Sequence, residues 1–185
     1  MSEQSIVLSK FDVAERQFNQ AVSLFFDRAD PVSIHTLAEA SFQVLYDIRV
    51  KFDGVSLVRD SEYVRPERKK EWNGYMVASR NFFKHADRDP DEVHEFKDVF
   101  NHFSLIDAAN LYLTAKKAWT AETLLYVSWF FMAYPDLIDE ESALGAHVAQ
   151  VKSRGNQFDI TDFRTIALAL KQLKSGELSL PGLSL

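Results

Sequence analysis

The sequence predicts an all-α protein: a single bundle of about seven helices, with at most one short hairpin near residues 48–58. Three observations carry this. Apolar residues recur at three- and four-residue spacing along most of the chain, capping residues stand before these runs and glycines after several of them, and the connections are short. With 185 residues, 46% hydrophobic and 26% charged, the chain has the make-up of a globular protein with one core. A bundle domain is expected over 1–176 and a tail over 177–185.

The first helix runs through "SKFDVAERQFNQAVSLFFD". Ser9 stands as its N-cap with Asp12 three residues on, and Phe11, Ala14, Phe18, Ala21, Val22 and Phe25 share one face. In "DPVSIHTLAEASFQVLYDI" Asp30 caps a second helix and Pro31 opens it, where a missing N–H costs nothing. Its face is Ile34, Leu37, Ala38, Ser41, Leu45 and Ile48. After it, "IRVKFDGVSLV" alternates about Asp53-Gly54, which fits a hairpin or the end of a long helix; the helix end is favoured. A polar loop over 56–64 leads to Pro66, which opens a third helix through Phe83, with Trp72, Tyr75, Met76, Ser79 and Phe83 facing the core and Arg80 flanking them.

Beyond an acidic loop, "NHFSLIDAANLYLTAKKAW" makes a fourth helix with Lys116 and Lys117 in its last turn, and Thr120 caps an apolar fifth. "DEESALGAHVAQVKSRG" makes a sixth, stopped by Gly155, and "DITDFRTIALALKQLKSG" a seventh, stopped by Gly176. The most hydrophobic stretch, "TLLYVSWFFMAYP", falls short of the roughly 20 residues a membrane-spanning helix needs, so it reads as a buried helix. No membrane association is expected.

The absence of Cys excludes a disulfide framework, a thiolate metal site and a cysteine nucleophile, and it suits a reducing, cytoplasmic compartment. The start "MSEQSIVLSKFD" is acidic and lacks a sustained apolar run, so no signal peptide is expected. A net charge of −6 argues against a generally basic nucleic-acid binder. "RPERKK" is a local exception: Arg65, Arg68, Lys69 and Lys70 form a cationic cluster, with Lys84 further along, that could hold an RNA backbone. Against that stands the assignment of Trp72 and Tyr75 to the core. With six glycines spread thinly there is no phosphate-binding loop, and no cofactor is expected.

The stretch "RNFFKHADRDPD" carries the sharpest chemical signal. Arg80, Asn81 and His85 resemble the Arg-x(4–6)-His signature of the HEPN (higher eukaryote and prokaryote nucleotide-binding) superfamily, small all-helical domains that include metal-independent RNases. The resemblance implies that His85 moves a proton, Arg80 stabilises charge on the scissile phosphate, Asn81 orients one of them, and two chains face each other as a homodimer. Imidazole titrates nearest neutrality and guanidinium stays charged, which suits both roles. Arg28 with His35 and Arg88 with His94 match the same spacing. On a continuing helix Arg80 and His85 would lie about 140° apart, so cooperation requires the helix to end before His85. The segment "NFFKHADRDPD" is also similar to one carried by an uncharacterised family of bacterial all-helical proteins, a likeness extending from the second helix through the fifth; that likeness implies no activity.

Two further readings remain. Asp87, Asp89, Asp91 and Asp98 mimic a calcium loop, but Glu92 stands where Gly is needed. His85, Asp87 and His94, with His102 or the pair His35 and Glu39, are of the types that hold a transition metal, against the plainer reading of a solvated acidic loop. The leading expectation is a helical interaction or regulatory module that self-associates, with the Arg80 and His85 ribonuclease as the alternative.

Overall fold

A computed structural model describes residues 5–62, 64–87, 90–139, 141, 146, 149–150, 153 and 160–175. Among them are six α-helices and no strand, as an all-α chain requires: α1 (Lys10–Phe26), α2 (Pro31–Ile48), α3 (Lys69–Lys84), α4 (Phe100–Lys116), α5 (Ala121–Ala133) and α6 (Ile160–Ser175). The helix expected over 139–155 lies largely outside the described residues, and the tail over 177–185 lies wholly outside them. The chain divides into two compact units, Met1–Ala118 and Trp119–Leu185.

In the first unit, α1 lies against α2 and α2 against α4. Helix α1 begins with the reciprocal cap its sequence encodes: the Asp12 N–H donates to Ser9 Oγ at 3.1 Å and the Ser9 N–H to Asp12 Oδ2 at 2.8 Å. Asp30 caps α2 through the Ser33 N–H at 2.8 Å, with Pro31 in the first turn. The facing surfaces combine small and large side chains. Ala14, Ala21, Ala38, Ala108 and Ala109 are fully buried, which lets the helices come close, and Phe18, Phe42 and Tyr112 fill the spaces between. Each such ring contributes about 1.5–3 kcal/mol by leaving water. Tyr112 stacks on Phe18 and Phe11, with ring centroids 5.4 and 5.5 Å apart.

After α2, a 3-10 turn over Arg49–Lys51 ends the helix, and no hairpin forms at 48–58. The left-handed residue is Asp53 (φ 55°) rather than Gly54. Gly54 is needed for a different reason: a Cβ there would meet the Phe52 ring at 2.4 Å and Leu111 at 3.0 Å, so its bareness lets the loop settle on α4. The loop that follows is not a solvated connector. Ser56 and Arg59 are buried, the Asn110 side chain donates to Val55 O at 2.9 Å, and the Trp72 indole donates to Val58 O at 2.9 Å.

Helix α3 follows a 3-10 turn at Pro66–Arg68 and stops at Lys84. The face expected to point inward does so only in part. Met76 and Ser79 are buried and Phe83 is half-buried, but Trp72 is 37% exposed and Tyr75 63% exposed. Tyr75 sits 100° round the helix from Met76, and α3 meets α2 along a stripe too narrow to include it. Beyond Pro90 the chain runs without regular secondary structure over 92–97, with His94 and Phe96 half-buried while Val93, Glu95 and Lys97 are exposed.

In the second unit, Thr120 caps α5 and shares reciprocal bonds with Thr123. Tyr126, Trp129 and Phe130 of α5 are buried, as are Phe163 and Ala167 of α6. An ion pair between Lys174 and Glu122 joins the two helices. No helix among the described residues is long and apolar enough to cross a membrane.

Candidate functional site

Helix α2 puts His35, Glu39 and Gln43 on one stripe, each one turn after the last, and α4 answers with Asn101, Ser104 and Asp107 at three-residue steps. Five of the six are buried, so a polar seam runs through the α2–α4 contact. Charges this deep persist only when paired. Glu39, with no exposure, receives Arg59 Nη2–H at 2.8 Å on both carboxylate oxygens and the Ser104 hydroxyl at 2.7 Å. The Arg59 guanidinium also lies 3.6 Å over the Phe42 ring. Arg80 approaches from α3: its Nη1 is 4.0 Å from Glu39 Oε2 and donates to Gln43 Oε1. Two guanidinium groups thus converge on one carboxylate, and Arg80 retains 17% of its exposure there.

A second acid completes the seam. Asp107 accepts the Ser56 hydroxyl at 2.6 Å, and the same Ser56 Oγ accepts the Arg59 N–H at 2.8 Å, so the loop carrying Arg59 is anchored to α4. Burial raises the Asp107 pKa to about 6, against the lowering effect of its Ser56 bond and of Arg59. His35 Nδ1 lies 2.9 Å from Asn101 Oδ1, whose amide nitrogen donates to Pro31 O. An amide oxygen only accepts, so Nδ1 carries the proton and Nε2 is a lone pair. Burial holds the His35 pKa below the usual imidazole range, opposed by the Glu39 charge and the Asn101 bond. His35 Nε2, Arg59 Nε and Arg59 Nη1 have no hydrogen-bond partner among the described residues.

The signature residues fall at the edge of this seam. Arg80 was expected on the flank and is instead turned onto Glu39 and Gln43. Asn81 is exposed, and its carbonyl accepts the His85 N–H at 3.1 Å, closing the helix. His85, at φ −125° and ψ 56°, is the C-cap and is half-buried, so it has left helical geometry. Lys84, the last helical residue, is exposed. Of the other arginines with matching spacing, Arg28 is an exposed left-handed residue after α1, and Arg88 lies outside the described residues.

Asp87 is exposed, and His94 is committed elsewhere: its Nε2 is hydrogen-bonded to Ser79 Oγ at 2.7 Å and its ring stacks on Phe82. Among the described residues, no three His, Asp or Glu side chains gather where they could hold a metal ion. His35 is hydrogen-bonded to Asn101, and Glu39 accepts from Arg59. Of the cationic cluster, Arg65 and Lys70 are exposed, Lys69 is half-buried, and Arg68 pairs with Glu71 at 2.5 Å.

Sequence reasoning missed Ser56, Arg59, Asn101, Ser104 and Asp107. The one available signal was polar residues at helical spacing on α2 and α4, and polar stripes ordinarily mark solvent. No family model matches the chain, no curated protein matches it, and no solved structure matches it.

Proposed function

We propose that the first unit is an RNA phosphodiester-cleaving module of the HEPN kind, acting as a self-associated protein, with Arg80 and His85 as its reacting pair. One observation supports this reading above the others. The arginine that the signature singles out is seated beside a buried carboxylate, one turn before a helix end that releases His85 from the axis. A buried charge cluster costs stability that apolar side chains would not, and such clusters with unpartnered polar atoms concentrate at functional sites. In this reading Gln43 and Glu39 hold the Arg80 guanidinium, whose charge stabilises the developing phosphorane oxygens. His85 takes the proton of the attacking 2′-hydroxyl or delivers one to the leaving oxygen, and Asn81 orients one of the two side chains.

The experiment is cleavage of mixed RNA in chelator by the purified chain beside Arg80→Ala and His85→Ala variants. The expected outcome is cleavage by the wild type, reduced about 100-fold or more in each variant. RNA left intact by the wild type, or cut equally by all three, removes the reading.

A second reading, an interaction or regulatory module without catalysis, is favoured by the exposed Trp72 and Tyr75 on α3. Its expected signature is RNA left intact by the wild type together with self-association in light scattering that Tyr75→Ala abolishes.

A further inference from the structure

We infer that residues 92–97 form a strap that lifts as a unit from the end of the polar seam and opens His35 to solvent and small solutes. The inference goes beyond the proposed reaction and does not rest on RNA being the ligand. Between the end of α3 and the start of α4 this stretch has no regular secondary structure, and the backbone of 92–96 makes no hydrogen bond to another backbone group among the described residues. Two side chains hold it instead. His94 Nε2 is hydrogen-bonded to Ser79 Oγ at 2.7 Å, and its ring stacks on Phe82 with centroids 5.1 Å apart. Two residues on, the Phe96 ring lies 5.3 Å from that of Phe83 and 5.0 Å from that of His35. Val93, Glu95 and Lys97, which alternate with these anchors, are exposed.

Lifting the strap costs neither flanking helix a turn. Helix α3 is already closed by the His85 N–H on Asn81 O, and the first bonds at the start of α4 run to Lys97 O and Asp98 O. What lies beneath favours opening. His35 is 1% exposed, its Nδ1–H is taken by Asn101, and its Nε2 lone pair has no partner among the described residues. A buried acceptor left without a donor costs free energy that an admitted water molecule offsets. Segments held by a few side-chain contacts, with no backbone ladder, open locally and well short of global unfolding. His94 and Phe96 are two residues apart, so release of either anchor weakens the hold of the other.

The test is carbethoxylation of the full chain by diethyl pyrocarbonate, which acylates unprotonated imidazole, at pH 7 under single-hit conditions, read residue by residue by peptide mass spectrometry. Burial keeps His35 in the reactive neutral form. The wild type is expected to be modified at His35 in native buffer, at a rate that dilute urea does not change. Ser79→Ala removes the His94 anchor and leaves the Phe96 contacts in place. It is expected to speed His35 modification roughly 2- to 13-fold, the worth of one hydrogen bond. Phe96→Ala is expected to speed it further. Val22→Ala, in the α1–α2 core, lowers global stability away from the strap and is expected to leave the His35 rate unchanged. Absence of His35 modification in native buffer overturns the inference, as does a rate that Ser79→Ala or Phe96→Ala leaves unaltered, because the strap then does not lift as a unit. So does a rate that rises in dilute urea or in Val22→Ala, because His35 then reacts only through unfolding of the whole unit.

Discussion

At Glu39 a carboxylate shut off from water accepts two bonds from Arg59 and one from Ser104, with the Arg80 guanidinium nearby. Glu39→Leu leaves Arg59 buried without its counter-charge, and the expected loss is about 3–5 kcal/mol in urea unfolding. Adding Arg59→Met to that variant should recover much of the loss, since two apolar side chains of similar size remove the desolvation cost of both charges. A double variant no more stable than Glu39→Leu alone would show that Ser104 and Arg80, rather than the pair, depend on the carboxylate. The sequence made His35 and Glu39 visible as neighbours one turn apart, but spacing along one helix does not reveal the partner. Arg59 is twenty residues away on a loop, and Asn101 belongs to another helix.

On the scale of elements, the helix starts were legible because each cap closes within four residues: Ser9 with Asp12, Asp30 with Ser33, and Thr120 with Thr123. The end of α3 before His85 was legible too, from the run that leads to Pro90. The orientation of α3 was not. Its apolar residues span more than half a turn, and only the line of contact with α2 decides which of them are covered, so Tyr75 is outside and Arg80 inside. Gly74 offers a measurement of that exposure. Gly74→Ala has room for its methyl, so it should raise stability by about 1 kcal/mol in thermal unfolding, as expected for an open helical site. A loss of stability would mean that the position is covered.

Over the whole molecule, the buried seam makes stability depend on pH through two groups of opposite sign. His35 has a depressed pKa, so the unfolded chain binds more protons; its contribution is present above about 6.5 and is lost as pH falls through the folded value. Asp107 has a folded pKa of about 6 against 3.8, so its contribution is present below 3.8 and is lost as pH rises through about 6. At pH 7 that loss amounts to about 3 kcal/mol. Asp107→Asn keeps the shape of the protonated acid without the charge. Relative to the wild type, its urea midpoint should therefore rise between about pH 4 and 6 and level off above about 6. A difference that stays constant over this range would show that Asp107 is not held against ionisation. The sequence by itself determined the all-α class, the capped starts of the helices and the end of α3 before His85, because those depend on residues a few positions apart. Only the tertiary structure decided that a polar loop is buried, that Arg80 faces an acid and that Tyr75 faces water. These depend on which surfaces meet, and no local spacing encodes a contact between distant segments.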